Sequence, residues 1–195
     1  MKINLPDSQD EITLEMYDKF VSLDSEADNY EDLIFSLFTG VDAEDVLSVS
    51  KKDIDAVLKH VYTAIQIKGK FKNKITINGV ELGLIPNFDK LLGGQKTKGG
   101  EYSDMILYSN EDKDGYNKTL NRLIAVLYRP VIESDSFGNY KIGKYKGTSG
   151  HIDLINKLPM SIVNGCLGFF LTLLEDLENH ILASTVEEQV KELSH

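Results

Sequence analysis

The chain of 195 residues is 42% hydrophobic and carries 31 Asp and Glu against 21 Lys and Arg, a formal net charge of -10. That much apolar material sustains one packed core, or at most two small ones. The acidic balance argues against a general nucleic-acid binder, because phosphate contacts draw on Lys and Arg. A single cysteine excludes an internal disulfide and points to a reducing compartment.

Charge is unevenly spread: acids dominate from Asp7 to Asp55, while residues 59–157 hold most of the lysines and both arginines. Such a dipole suits head-to-tail association or a basic partner, two differently solvated halves being the plainer reading. The opening Met1-Lys-Ile-Asn-Leu-Pro-Asp has no apolar signal core. No uncharged run approaches the roughly 18 residues that span a bilayer. The expected setting is cytosolic or virion-borne, with no membrane partner.

In chain order, Thr13 is a candidate N-cap for a first helix whose apolar face is Leu14, Tyr17, Phe20 and Val21. A polar gap at Asp24–Asn29 precedes a second helix, Tyr30–Phe38, with Gly40 where a helix end favours glycine. Asp42–Leu47 makes one further helical turn. Ser50-Lys-Lys-Asp53 resembles a capping box with Asp in the Glu position, opening a helix to about Ile67. Its stripe is Ile54, Val57, Leu58, Val61 and Ile65.

The period then changes. Two β-branched runs, Phe71–Ile77 and Val80–Ile85, flank Asn78-Gly79, the preferred two-residue hairpin turn, because both central residues need positive φ. Leu92–Gly100 reads as a flexible loop. Its glycines lack P-loop spacing and a strand-loop-helix context. A short helix is predicted over Glu101–Leu107, then a charged break at Ser109–Gly115, then a helix over Tyr116–Tyr128.

That last helix runs into Arg129-Pro130, where proline's missing N–H and its pressure on the preceding residue stop helical geometry. Leu123, Ile124, Val126 and Leu127 form an apolar ridge bordered by Arg122 and Arg129, which reads as a docking or packing element. Gly138–Gly147 alternates apolar or aromatic residues with lysine, as a short strand or hairpin arm does. Pro159 is well placed at the first turn of an apolar core helix running to about Leu182. Residues 184–195 form a last exposed helix or tail.

Reactive chemistry is sparse. His60, His151, His180 and His195 have no partners at metal-ligand spacing; His60 reads as a surface residue, and His180 as a residue facing helix-end carbonyls. The acidic run Asp24–Asp32 lacks the glycine of a calcium loop, and Asn110–Gly115 lacks its closing glutamate. Gly147-Thr-Ser-Gly150 has the wrong spacing for a nucleophile elbow. Cys166 sits in an apolar run without a basic neighbour, which disfavours its thiolate. Glu175 and Glu178 share an outer helix face, as ordinary solvation does. No catalytic residue, cofactor site or metal site is expected.

Tyr128, Tyr140 and Tyr145 fall near Arg129, Lys141, Lys144 and Lys146 as the one basic-aromatic cluster. Base stacking on RNA is one use of such a cluster. The global charge favours the other, a hairpin arm meeting an acidic surface such as the N-terminal half of another copy.

Several segments carry a resemblance. Met1-Lys-Ile-Asn-Leu-Pro-Asp, Ile12-Thr-Leu-Glu-Met-Tyr-Asp-Lys-Phe, Phe38-Thr-Gly-Val-Asp-Ala-Glu-Asp-Val-Leu and Lys51-Lys-Asp-Ile-Asp come first. The Asn78-Gly79 hairpin ending Leu84-Ile-Pro-Asn87, then Ala125-Val-Leu-Tyr-Arg-Pro-Val131, Leu158-Pro-Met and Gly168-Phe-Phe follow. In this order, the chain as far as Leu182 resembles a family of small tail-assembly-associated proteins of tailed bacteriophages. The loop at Gly93–Gly100 looks longer than the family pattern, and the tail after Ala183 lies outside it.

The resemblance implies a non-catalytic assembly protein in the host cytoplasm, its partners being other phage structural or tail proteins or further copies of itself. Foremost is a tail-assembly chaperone that shields apolar helices by helix-in-groove contact. The alternatives are a virion connector or ring subunit at the head–tail joint, and a small enzyme or regulator of host machinery. Leu123, Val126, Leu127, Tyr128 and Arg129, with Tyr140 and Tyr145, are the expected partner-binding residues. The expected fold is α+β and mostly helical, with one or two small antiparallel β-hairpins. It forms one domain over residues 1–195: an acidic helical part (about 12–67), a hairpin (71–85), a second helical part (about 101–183) and an exposed tail (184–195).

Overall fold

A computed structural model describes residues 5–66, 69–86, 100–109 and 119–172. Helix α1 (Leu14–Val21) starts where the Thr13 hydroxyl accepts the Met16 N–H at 3.2 Å, satisfying one of the donors every helix start leaves open. α2 (Tyr30–Thr39) ends on Gly40 at φ 70°, the left-handed geometry glycine adopts without a Cβ penalty. After the single turn α3 (Ala43–Val46), α4 (Lys51–Ile65) is capped by Ser50. The Ser50 hydroxyl accepts the Asp53 N–H at 3.3 Å and donates to Asp53 Oδ2 at 2.7 Å. The short aspartate thus returns to the cap hydroxyl, whereas a capping-box glutamate reaches the cap backbone N–H.

Strands β1 (Lys74–Ile77) and β2 (Val80–Leu84) pair antiparallel in the register Ile77↔Val80. Asn78 (φ 51°) and Gly79 (φ 77°) form the turn, as the Asn-Gly dipeptide predicts. Next come α5 (Glu101–Tyr108) and α6 (Leu120–Leu127), then β3 (Tyr128–Ser134) and β4 (Tyr140–Ile142). α7 (Ile152–Ile155) follows, and residues 160–172 are helical (α8). The four strands form one antiparallel sheet in the order β1-β2-β3-β4, so the fold is α+β and mostly helical.

One expectation changes here. The segment Asn121–Ile132 is helical only to Leu127, and Tyr128 already belongs to β3. Arg129 precedes proline and is pushed towards the extended region, which favours continuing the chain as a strand. Pro130 pairs with Leu82 at the end of the β2 ladder. On its other side the Pro130 carbonyl accepts the Gly143 N–H at 3.0 Å. With no N–H to return, the ladder to β4 begins only at Val131↔Ile142.

Among the described residues one buried cluster draws on helices and sheet alike, from Ile12 and Phe35 to Tyr128 and Phe170. The N-terminal segment laces onto the start of α8: the Leu14 N–H reaches the Leu158 carbonyl and the Met160 N–H reaches that of Ile12, both at 2.8 Å. Gly165 lets the chain at Gly69–Lys70 cross α8 backbone to backbone, and a Cβ on Gly165 would stand 2.3 Å from the Lys70 carbonyl carbon. The Gly93–Gly100 loop up to residue 99, the Asn110–Gly115 turn, Glu175, Glu178, His180, His195 and the 184–195 tail lie outside the described residues.

Candidate functional site

The predicted docking ridge is core. Val126, Leu127 and Tyr128 are fully buried and Leu123 is only 3% exposed. α6 packs against α5, α7 and β3; Ile124 and Ala125 are buried too, so the helix from Leu123 onwards is interior while Asn121 and the exposed Arg122 mark its solvent side. Leu123, Val126, Leu127 and Tyr128 therefore do not form a surface for a partner, and their assignment to partner binding is withdrawn. Apolar periodicity marks a face that must be covered; it does not say whether the same chain covers it.

Arg129 is buried as well. Its Nη2 lies 2.6 Å from Glu101 Oε1, with 9% and 27% of the two side chains exposed. The contact satisfies the distance for an ion pair, yet Arg129 Nε and Glu101 Oε1 have no properly directed hydrogen bond. Burial lowers the Arg129 guanidinium and raises the Glu101 carboxyl despite their mutual attraction; desolvation prevails over the charge pairing. The guanidinium also lies 5.8 Å from the centroid of the Tyr145 ring, a cation–π distance. The Tyr145 hydroxyl donates to Asp104 at 2.5 Å.

Tyr140 also serves the fold. Its ring occupies the space a side chain at Gly83 would take, 2.4 Å from an ideal Cβ there. Its hydroxyl lies within reach of the Leu84 (2.8 Å) and Asn73 (3.0 Å) carbonyls. The basic-aromatic cluster is thus a set of braces between β2, β3, β4 and α5, from which Lys144 and Lys146 emerge into solvent. They border an open cavity of about 450 Å³ that Arg129, Pro130 and Ile132 also line.

His151, which the sequence leaves without a role, is buried. Its Nε2 lies 2.8 Å from the Ala125 carbonyl and 3.0 Å from that of Tyr128. The Ala125 oxygen loses its helical partner where α6 becomes β3, the Tyr128 oxygen lies at the start of that strand, and the imidazole N–H supplies a donor to both. His60 is part-buried, with Nε2 2.9 Å from the Pro6 carbonyl. Cys166 is fully buried and burial pushes its thiol up to about 12. Among the described residues, no three His, Cys, Asp or Glu side chains gather as a metal site would need.

Two surface features remain, both missed in the pattern of residues. The first is a groove of about 760 Å³ between the α2–α3 connection and α4, with Val41, Val49, Ala56 and Val57 on its walls and Asp45 and Asp53 at its rim. Leu47 lies just beyond α3 and is 83% exposed. Residues 41–57 hold five acidic and two basic side chains.

The second is the tip of the β3–β4 hairpin, where Phe137 is 90% exposed. Asp135 builds that tip: Oδ1 accepts the Phe137 and Asn139 N–H groups, each at 2.9 Å, and Oδ2 accepts the Asn139 amide at 2.8 Å. Gly138 closes the turn at φ 89°. A bulge sets two β3 steps, Val131 to Glu133, against one step of β4. The extra residue, Ile132, is 69% exposed. Asp-Ser-Phe-Gly-Asn, an aromatic framed by turn formers, is the sequence signal that marks this tip.

Comparison with protein-family models, curated proteins and solved structures returns no match for this chain. Among the described residues no helix is long and apolar enough to cross a membrane.

Proposed function

We propose that the protein is a non-catalytic bacteriophage assembly protein, a tail-assembly chaperone that holds an apolar helix of a tail protein until assembly. The acidic-rimmed groove carries this reading. Val49 and Ala56, over the buried Val41 and Val57, offer apolar surface for one helix face, while Asp45 and Asp53 complement basic residues flanking that face. Helix-in-groove recognition works in this way: apolar anchors supply the affinity, and rim charges supply approach rate and orientation. The phage setting rests on the resemblance of the sequence motifs.

Mass spectrometry of gradient-purified virions beside infected-cell lysate tests the role. A chaperone is abundant in the lysate and missing from the particle, and stoichiometric presence in the particle overturns the reading. At the level of the groove, a basic amphipathic helical peptide should bind the wild-type chain. Asp45→Lys should weaken it by about tenfold or more, more steeply at low salt.

The second reading is a structural virion component, a connector or ring subunit at the head–tail joint. One observation favours it: the pre-organised hairpin tip with its exposed Phe137, on an arm where residues 128–147 hold four basic and two acidic side chains.

A further inference from the structure

The connection from β4 to α7, Gly143-Lys-Tyr-Lys-Gly-Thr-Ser-Gly-His151, leaves most of its polar groups unused by the fold. Among the described residues the N–H groups from Lys144 to Gly150 donate to nothing, and Lys144 and Lys146 enter no ion pair. Tyr145 is the anchor: its hydroxyl donates to Asp104 and its ring lies against Arg129. The two lysines on either side of that anchor line the open cavity of about 450 Å³, together with Pro130, Gly147, Gly150 and His151.

His151 gives the cavity a directed acceptor. The residue is 9% exposed, and its Nε2 faces the carbonyls of Ala125 and Tyr128. Nε2 must therefore carry the hydrogen, which makes Nδ1 of the neutral ring an acceptor. Nδ1 has no partner among the described residues. The unpartnered side-chain atoms sealed from solvent there are Glu101 Oε1 and Arg129 Nε. Nδ1 is thus open, and the cavity is the surface that His151 lines.

We propose that this cavity binds a small phosphate monoester. The phosphate is held by Lys144, Lys146 and the free N–H groups around Gly147, and a hydroxyl of the esterified alcohol donates to His151 Nδ1. No Asp or Glu lines the cavity, and Arg129 is engaged by Glu101, so two lysines set the local charge in a chain of net charge -10. Two ammonium groups match a dianion better than the single charge of a carboxylate. The backbone supplies what charge alone cannot. Gly147 turns left-handed at φ 86°, a geometry in which successive N–H groups converge on an anion. A Cβ at Gly147 or Gly150 would meet nothing within 4 Å, so open space surrounds both positions. The volume lies in the range of small-molecule sites. This site is separate from the acidic groove, and the chaperone reading does not depend on it.

A ¹⁵N NMR titration of the full-length chain with ribose 5-phosphate tests the proposal, at about pH 7.5, where the ester is a dianion, with ionic strength held constant by sodium chloride. The amides of Gly147, Gly150 and His151 should shift saturably, with a dissociation constant of roughly 1 mM, as a ligand of this size in an open cavity gives. The His151 Nδ1 resonance should move as that nitrogen accepts a hydrogen bond. Ribose should shift none of these signals. Inorganic phosphate, which lacks the alcohol, should bind about tenfold more weakly and leave Nδ1 unmoved. Lys144→Gln/Lys146→Gln changes two exposed side chains and should weaken ester binding by about tenfold or more. Ile132→Glu, at a cavity wall that is 69% exposed, should weaken it similarly; circular dichroism checks that both variants fold. A wild type without saturable shifts, equal shifts from sodium chloride alone, or undiminished binding by the folded lysine variant overturns the site. Inorganic phosphate binding as tightly as the ester, with Nδ1 unmoved by both, overturns the ester assignment and the role of His151.

Discussion

Arg129 Nη2 lies 2.6 Å from Glu101 Oε1, and burial moves both groups towards their neutral forms. The pair therefore joins the start of α5 to β3 without a large gain in stability. Buried ion pairs of imperfect geometry are commonly replaceable, whereas half of one is not tolerated.

Arg129→Met alone should cost about 3 kcal/mol, since it strands a part-buried carboxylate, and the double variant Arg129→Met/Glu101→Gln should return to within about 1 kcal/mol of wild type. Urea denaturation of the four forms measures the coupling. Glu101 also has a pH signature. Its carboxyl is raised by burial from 4.5 in the folded state, so the native chain holds that proton more tightly than the unfolded chain. Its contribution is complete below about pH 4.5 and declines as pH rises through the raised value. Glu101→Gln should remove that slope.

Gly165 and Gly168 lie one turn apart in α8 and should respond oppositely to alanine. A Cβ on Gly165 meets the Lys70 backbone at 2.3 Å, whereas one on Gly168 meets nothing within 4 Å. Gly165→Ala should lose about 3 kcal/mol through backbone displacement. Gly168→Ala should gain up to about 1 kcal/mol from helix propensity. Thermal melts of the two variants decide it; a destabilised Gly168→Ala would contradict the exposed placement of that helix face.

Leu127 is fully buried, so Leu127→Ala should act on stability. A loss of about 2–5 kcal/mol is expected from the cavity left in the core. Any loss of partner binding should track the unfolded fraction and disappear under strongly folding conditions. Chemical denaturation beside a binding assay separates the effects.

The thiol of Cys166 has no exposed surface, and burial places its ionisation at about 12. Labelling by an aromatic disulfide at neutral pH should therefore be slow in the native chain and fast in denaturant. A free thiol titrates near 9 when unfolded, so the Cys166 contribution to stability is whole below that pH and falls as pH rises from about 9 towards 12. Cys166→Ala should flatten the alkaline limb of the stability curve.

Local signals carried far in this chain because they depend on short-range chemistry. Thr13, Gly40 and Ser50 bound helices through hydrogen bonds and φ values that a few residues determine. Asn78-Gly79 turns a hairpin for the same reason. The ridge on α6 went the other way: its apolar spacing is equally consistent with an interface and an interior, and α5, α7 and β3 arriving around it decided for the interior. The roles of Arg129, Tyr140 and His151 depend on Glu101, Gly83 and the carbonyls of Ala125 and Tyr128, partners 23 to 57 positions away that the sheet and the helix ends bring together. The groove at Val41–Val57 and the outward Phe137 likewise exist only once packing has chosen what to cover. Sequence by itself determined where the capped helices begin or end and where the Asn78-Gly79 hairpin turns, because caps and turns are local. Tertiary structure decided which apolar surface is core and which stays exposed, because burial is a property of the whole assembled chain.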